Sequence, residues 1–89
     1  MSEVRVKILD VSGSRSREAE LPADVPVERL LILLVERLEL PLNSPDGQLM
    51  VYKLHHRASG RQLLDHETLG QAQVKHGEEL RLQPEIIAG

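Results

Sequence analysis

The stretch from Val27 to Leu40 constrains the fold most, because its aliphatic residues cover more than half of a helix. At 3.6 residues per turn, one stripe carries Val27, Leu30, Leu31, Leu34 and Leu38. Leu33 and Val35 widen this stripe. A helix this apolar needs the rest of the chain packed around it.

Ile32 is the exception within this helix, since it falls among charged residues on the polar side. The sequence allows two interpretations. Ile32 is either an isolated surface aliphatic, which is common in proteins, or a contact for a partner on the helix side.

Residues on both sides of this stretch predict where the helix begins and ends. Asp24 is a candidate to cap the free amides, and Pro26 suits a first turn because that turn does not need its missing N–H. Pro41 would clash with the preceding turn, so it stops the helix. The sequence therefore predicts a helix over residues 27–40.

Composition bounds the class of protein. A chain of 89 residues and 10.0 kDa predicts one domain, and its core must be aliphatic because there is one Tyr and no Phe or Trp. The absence of cysteine excludes disulfides and thiol chemistry. A net charge of −3 with interspersed signs argues against nucleic-acid binding. We expect a monomer in the cytoplasm, without a signal peptide or membrane contact.

Several short segments alternate apolar and polar residues, as half-buried strands do. Residues 4–8 and 18–21 flank the turn Ser12-Gly13-Ser14 and predict a hairpin. Residues 49–54 predict a third strand with Tyr52 and Leu54 facing inward, 62–64 a short segment, and 65–72 a connector with one helical turn. A last strand over residues 79–82 is predicted to end at Pro84.

This order predicts an α+β fold in which a mixed sheet of four or five strands packs on one central helix, at about residues 27–40. The crossover through the helix permits parallel pairing of the first and last strands. The predicted organisation is one domain over residues 1–84 and a flexible tail over residues 85–89.

Landmarks along the whole chain carry a family resemblance. They are Leu21-Pro22, Val27-Glu28-Arg29-Leu30 and Leu40-Pro41, followed by Ser59-Gly60-Arg61-Gln62-Leu63, Thr68-Leu69 and the segment from Val74 to Leu82. With these motifs in this order, the chain resembles the ubiquitin-like β-grasp superfamily. Within it the chain is most similar to the bacterial YukD-type branch, including ubiquitin-like proteins found with activating and conjugating enzyme homologues.

The resemblance implies a protein modifier, whose terminal glycine carboxylate an ATP-dependent activating enzyme activates for conjugation to a target. Gly89, preceded by the small Ala88, would have this role, because a residue without a Cβ can thread a narrow crevice. The implied partners are activating-enzyme and conjugating-enzyme homologues and a metalloprotease-type deconjugase. Three alternatives remain open: a frayed terminus without function, a non-covalent YukD-type adaptor of a secretion system with an inert tail, and sulfur carriage through a terminal thiocarboxylate, which usually needs a Gly-Gly ending.

A docking surface is expected on the sheet. If Tyr52 and Leu54 face inward, Val51 and Lys53 face outward beside Arg81 and Gln83 of the last strand. Ile86 and Ile87 in the tail are further candidates for partner binding. The alternative is an ordinary solvated face, and a shift of one residue in register would exchange the two faces.

Neither catalysis nor a metal site is predicted. His55 and His56 are adjacent on a strand and point to opposite faces, so they do not easily share one ion. No serine has a convincing His/Asp constellation, and no glycine-rich phosphate loop is present. We therefore predict a protein that is not an enzyme and carries no cofactor.

Overall fold

The order of elements agrees with the predicted α+β fold. A computed structural model describes residues 3–87 of the chain. The elements in chain order are β1 (Glu3–Leu9), β2 (Ser16–Pro22), α1 (Val27–Arg37), β3 (Leu49–His56), β4 (Arg61–Gln62) and β5 (Glu79–Ile87). No helix in this part of the chain is long and apolar enough to cross a membrane.

One mixed sheet of five strands forms the scaffold, in the order β2-β1-β5-β3-β4. The hairpin of β1 and β2 is antiparallel, and β5 runs parallel to β1 and antiparallel to β3. The predicted parallel pairing of the first and last strands is confirmed. β5 lies at the centre, so the last strand of the chain joins the hairpin to β3.

The helix packs its predicted stripe against the sheet. Val27 and Leu30 are 0% exposed, and Leu31 and Leu34 are also buried. From the sheet, the inward residues of three strands complete a hydrophobic core: Val4, Val6, Ile8, Tyr52, Leu54, Leu80 and Leu82. Leu69 is fully buried and anchors the connector, but residues 65–72 form turns and contain no helix, unlike the predicted helical turn.

The C-terminal end of the helix was predicted wrongly. α1 ends at Arg37, three residues earlier than expected, and Glu39 adopts a positive φ of 53°. The amide of Leu40 donates to the carbonyl of Val35 at 3.0 Å, and that of Glu39 donates to Glu36 at 3.3 Å. These two bonds form a Schellman motif, which reverses the chain before Pro41 is reached.

The N-terminal cap also differs from the prediction. Pro26 is the N-cap residue, and no side chain, Asp24 included, caps the helix. The amides of Val27 and Glu28 instead donate to the carbonyls of Glu67 and Asp65, at 2.9 and 3.0 Å. Because these acceptors lie in the connector some 40 residues further along the chain, only the folded structure supplies them.

The last strand extends beyond its predicted end. β5 continues through Pro84 to Ile87, and residues 85–87 pair with residues 51–49 of β3. Pro84 is tolerated because β1 pairs with β5 only as far as Arg81, which leaves the strand a free edge where the missing N–H of proline costs no ladder bond. The tail predicted to start at residue 85 therefore has at least its first three residues in the sheet.

Candidate docking surfaces

The outer face of the sheet carries the residues predicted to face a partner. Tyr52 and Leu54 are 5% and 0% exposed, which confirms the predicted orientation of β3. Lys53 lies opposite Gln83, and Val51 lies opposite Glu85. The structure therefore brings Val51, Lys53 and Gln83 together on the side of the sheet away from the helix.

Both predicted cations of this face have partners within the chain. Lys53 Nζ donates to the two carboxylate oxygens of Asp65 at 2.8 and 3.0 Å, and its side chain is only 21% exposed. Arg81 Nη2 donates to the carbonyl of Val11 at 3.0 Å. Lys53 and Arg81 thus each hold a loop against the sheet, and their role in partner binding stays a prediction.

Arg81 and the β1–β2 turn fold against each other. An added Cβ at Gly13 would lie 3.7 Å from Arg81 Cζ, and Gly13 itself adopts φ +77°, which a glycine accommodates without strain. Arg81 Nε is buried and has no hydrogen-bond partner among the described residues. Arg81 therefore holds the β1–β2 turn against the sheet.

The remaining predicted site residues lie at the end of the chain. Ala88 and Gly89, the predicted activation residues, are outside the described residues, as are the side chains of Ile86 and Ile87. The main chain of Ile86 and Ile87 pairs with Met50 and Leu49 in the sheet.

A groove of about 530 Å³ lies between the N-terminal half of α1 and the neighbouring part of β3. Five non-aromatic apolar residues line it: Leu31, Ile32, Leu42, Met50 and Val51. Ile32 and Leu42 are 61% and 58% exposed, which is high for large aliphatic side chains. The sequence had singled out Ile32, but nothing in it showed that the loop after Pro41 brings Leu42 alongside.

The rim of the groove is acidic. Glu28, Asp65 and Glu85 line it together with a single cation, Lys53, which is already paired with Asp65. Asp65 has two structural roles here, because its carbonyl caps the helix and its carboxylate holds Lys53.

Tyr52 also lines the groove and links it to the core. Its hydroxyl donates to the carbonyl of Pro41 at 2.7 Å, which fixes the loop that carries Leu42. Burial raises the pKa of this phenol above its ordinary value.

The positions of His55 and His56 bear on the prediction that no metal site is present. His56 is buried on the inner side, with Nδ1 2.9 Å from Ser59 Oγ and Nε2 2.9 Å from Glu78 Oε1, whereas His55 is on the opposite face. Among residues 3–87, no three histidine, cysteine or acidic side chains are grouped so that they could hold a metal ion. His56 instead ties the start of β5 to the turn after β3.

The sheet order and the single packed helix define a ubiquitin-like protein. A solved structure described as Caldiarchaeum subterraneum ubiquitin is similar, with a TM-score of 0.70 and 26% identity over 99% of this chain and 100% of that one. A de novo designed protein based on ubiquitin has a TM-score of 0.68 and 23% identity over 98% of this chain and 93% of that one, which shows the fold alone.

The sequence assigns the family within this class. Residues 3–82 match the family model described as "WXG100 protein secretion system (Wss), protein YukD". The chain therefore belongs to the YukD family, as the resemblance implied. No curated protein matches the sequence.

Proposed function

We propose that the protein is a non-covalent docking protein of a WXG100 protein secretion system, which binds another component through its surface and catalyses no reaction. The observation that carries this proposal is the match of residues 3–82 to a family described by that system. The groove beside α1, with exposed Ile32 and Leu42, is a surface suited to such binding.

The pairing of β5 supports docking over conjugation. A modifier must free its C-terminal segment so that the glycine carboxylate can enter an activating site. Here residues 85–87 pair with residues 51–49 of β3. Activation would require the end of β5 to peel away from the sheet.

Conjugation through Gly89 and Ala88 is the second candidate function. The likeness to an archaeal ubiquitin over 99% of the chain and the glycine at position 89 support it. In this case activating-enzyme and conjugating-enzyme homologues and a metalloprotease-type deconjugase would be the partners.

Deletion of residues 88–89 separates the two candidates. For a docking protein, the shortened chain binds a secretion component as tightly as the full chain does in a calorimetric titration. For a modifier, the full chain forms a thioester with its activating enzyme and ATP, and the deletion abolishes it. A thioester that depends on Gly89 would refute our proposal.

Amide hydrogen exchange tests the structural part of this argument. Just after β3, the amide of Arg57 donates to the carbonyl of Glu79. The odd-numbered residues of β5 therefore direct their N–H and C=O groups toward β3. We expect the amides of Gln83 and Glu85 to be protected from exchange to a similar extent. Exchange at Glu85 as fast as in an unfolded chain would show that the segment is free for activation.

A further inference from the structure

We infer that the groove between α1 and β3 binds an extended segment of a partner protein, with alternating aliphatic residues flanked by lysine or arginine. This inference rests on the proposed docking function and names the chemistry of the partner. Three independent features of the groove support it: an open strand edge, an aliphatic lining and an acidic rim.

The open edge is the side of β3 that faces away from β5. The amide of Met50 donates to Leu42 at 2.8 Å, and the carbonyl of Leu54 accepts from Leu63 at 2.8 Å. Both bonds show that the even-numbered residues of β3 direct their N–H and C=O groups toward the edge away from β5. Tyr52, which lies between Met50 and Leu54, is one of these residues. β4 pairs only with His55 and His56, so no strand among residues 3–87 lies beside Tyr52 on that side.

A peptide residue placed antiparallel and opposite Tyr52 would complete a pair of two main-chain hydrogen bonds. Its N–H would donate to the Tyr52 carbonyl, and its carbonyl would accept from the Tyr52 amide. Exposed strand edges of this kind accept an added strand readily. The opening is short, because the loops at Leu42 and Leu63 close it at either end.

The aliphatic lining determines which side chains would be bound. An extended peptide presents alternate side chains to one side. Those that face the helix would bury Ile32 and Leu42, which are 61% and 58% exposed without a partner. Valine, isoleucine and leucine suit this groove, because they fit beside an extended backbone and its aliphatic walls.

The charge of the rim determines what flanks these side chains. Glu28 and Glu85 are exposed carboxylates on the groove, and the one ammonium group there, Lys53, is held by Asp65. Basic residues of a partner are attracted to this rim and acidic ones are repelled. The groove is therefore selective for a basic, aliphatic segment.

The probe for the test is the acetylated and amidated pentapeptide Ile-Lys-Val-Arg-Ile, titrated into the full ¹⁵N-labelled chain. Its valine is placed opposite Tyr52, so that its aliphatic side chains share the helix-facing side with Tyr52. We expect saturable NMR shifts at the amides of Ile32 and Tyr52, at peptide concentrations on the order of 0.1–1 mM. A peptide with both basic residues replaced by glutamate, and one N-methylated at the central valine, should each bind about tenfold more weakly or not at all.

Two surface variants complete the test. Ile32→Ser should weaken binding about tenfold, because the lost aliphatic contact lies in the groove. Leu64→Ser is the matched control, since Leu64 is 50% exposed and does not line the groove. It should change affinity less than twofold.

Equal effects of the two variants, or unchanged binding of the glutamate or N-methylated peptide, would overturn the inference. If a secretion component binds the chain but Ile32→Ser leaves that binding intact, the groove assignment fails and the docking function stands. A Gly89-dependent thioester would refute the docking function itself, whatever the peptide does.

Discussion

Leu30 and Ile32 lie two residues apart on α1, and their opposite burial gives a sharp test of the packing. Leu30 is 0% exposed and belongs to the core, whereas Ile32 is 61% exposed. Truncation of either residue to alanine removes three carbon atoms from the same helix. The two variants therefore separate the effect of burial from that of position in the chain.

For Leu30→Ala, the loss of three buried carbons costs about 2.4 kcal/mol at about 0.8 kcal/mol each. The cavity left in the core adds to this, so we expect a loss of about 2.5–5 kcal/mol of unfolding free energy. A domain of this size has about 4–13 kcal/mol in total, so Leu30→Ala should unfold at a much lower urea concentration.

For Ile32→Ala, we expect a change within about 0.5 kcal/mol, because little area is lost from the protein interior and alanine favours the helix. Urea unfolding followed by circular dichroism measures both variants, with the slope m as a check on two-state behaviour. Equal destabilisation by Leu30→Ala and Ile32→Ala would refute the orientation of the helix. Leu34→Ala, at 3% exposure, should behave like Leu30→Ala.

Two further predictions concern individual residues. Glu39→Gly should raise the unfolding free energy by about 0.5–1 kcal/mol, because φ 53° is strained for glutamate and not for glycine, whereas Glu36→Gly inside the helix should lower it by about 1 kcal/mol. A thermal melt of each variant tests this pair, and a lower melting temperature for Glu39→Gly would contradict it. Hydrogen bonds from the Lys75 amide and His56 lower the pKa of Glu78 below 4.5. The folded state then binds fewer protons than the unfolded state below pH 4.5, so stability falls as the pH falls through the lowered pKa. In urea melts from pH 2 to 7, the unfolding free energy of Glu78→Gln should fall less steeply toward low pH than that of the unchanged chain. An equally steep fall would contradict the role given to Glu78.

The burial of the helix was predictable because it depends on local periodicity. The stripe from Val27 to Leu34 follows from the 3.6-residue repeat, and the inward position of Tyr52 and Leu54 follows from the alternation of a strand. The order of elements and the family resemblance then gave the ubiquitin-like fold. These features need no knowledge of which distant segments meet.

The ends of the elements depended on tertiary contacts. Residues 65–67 supply the helix cap, and β3 holds β5 beyond Pro84, since a proline ends a strand only where its missing N–H would face a neighbour. The early end of α1 had no sequence signal, because glutamate is rarely the residue that adopts positive φ in a Schellman motif.

The sequence by itself determined the fold class, the core face of α1 and the isolated position of Ile32. Only the tertiary structure decided that Lys53 and Arg81 have internal partners, and that Leu42 and β3 join Ile32 in one groove. The physical reason is the range of the interactions. Periodicity depends on residues that are close in sequence, whereas a groove and an ion pair require segments distant in sequence to meet.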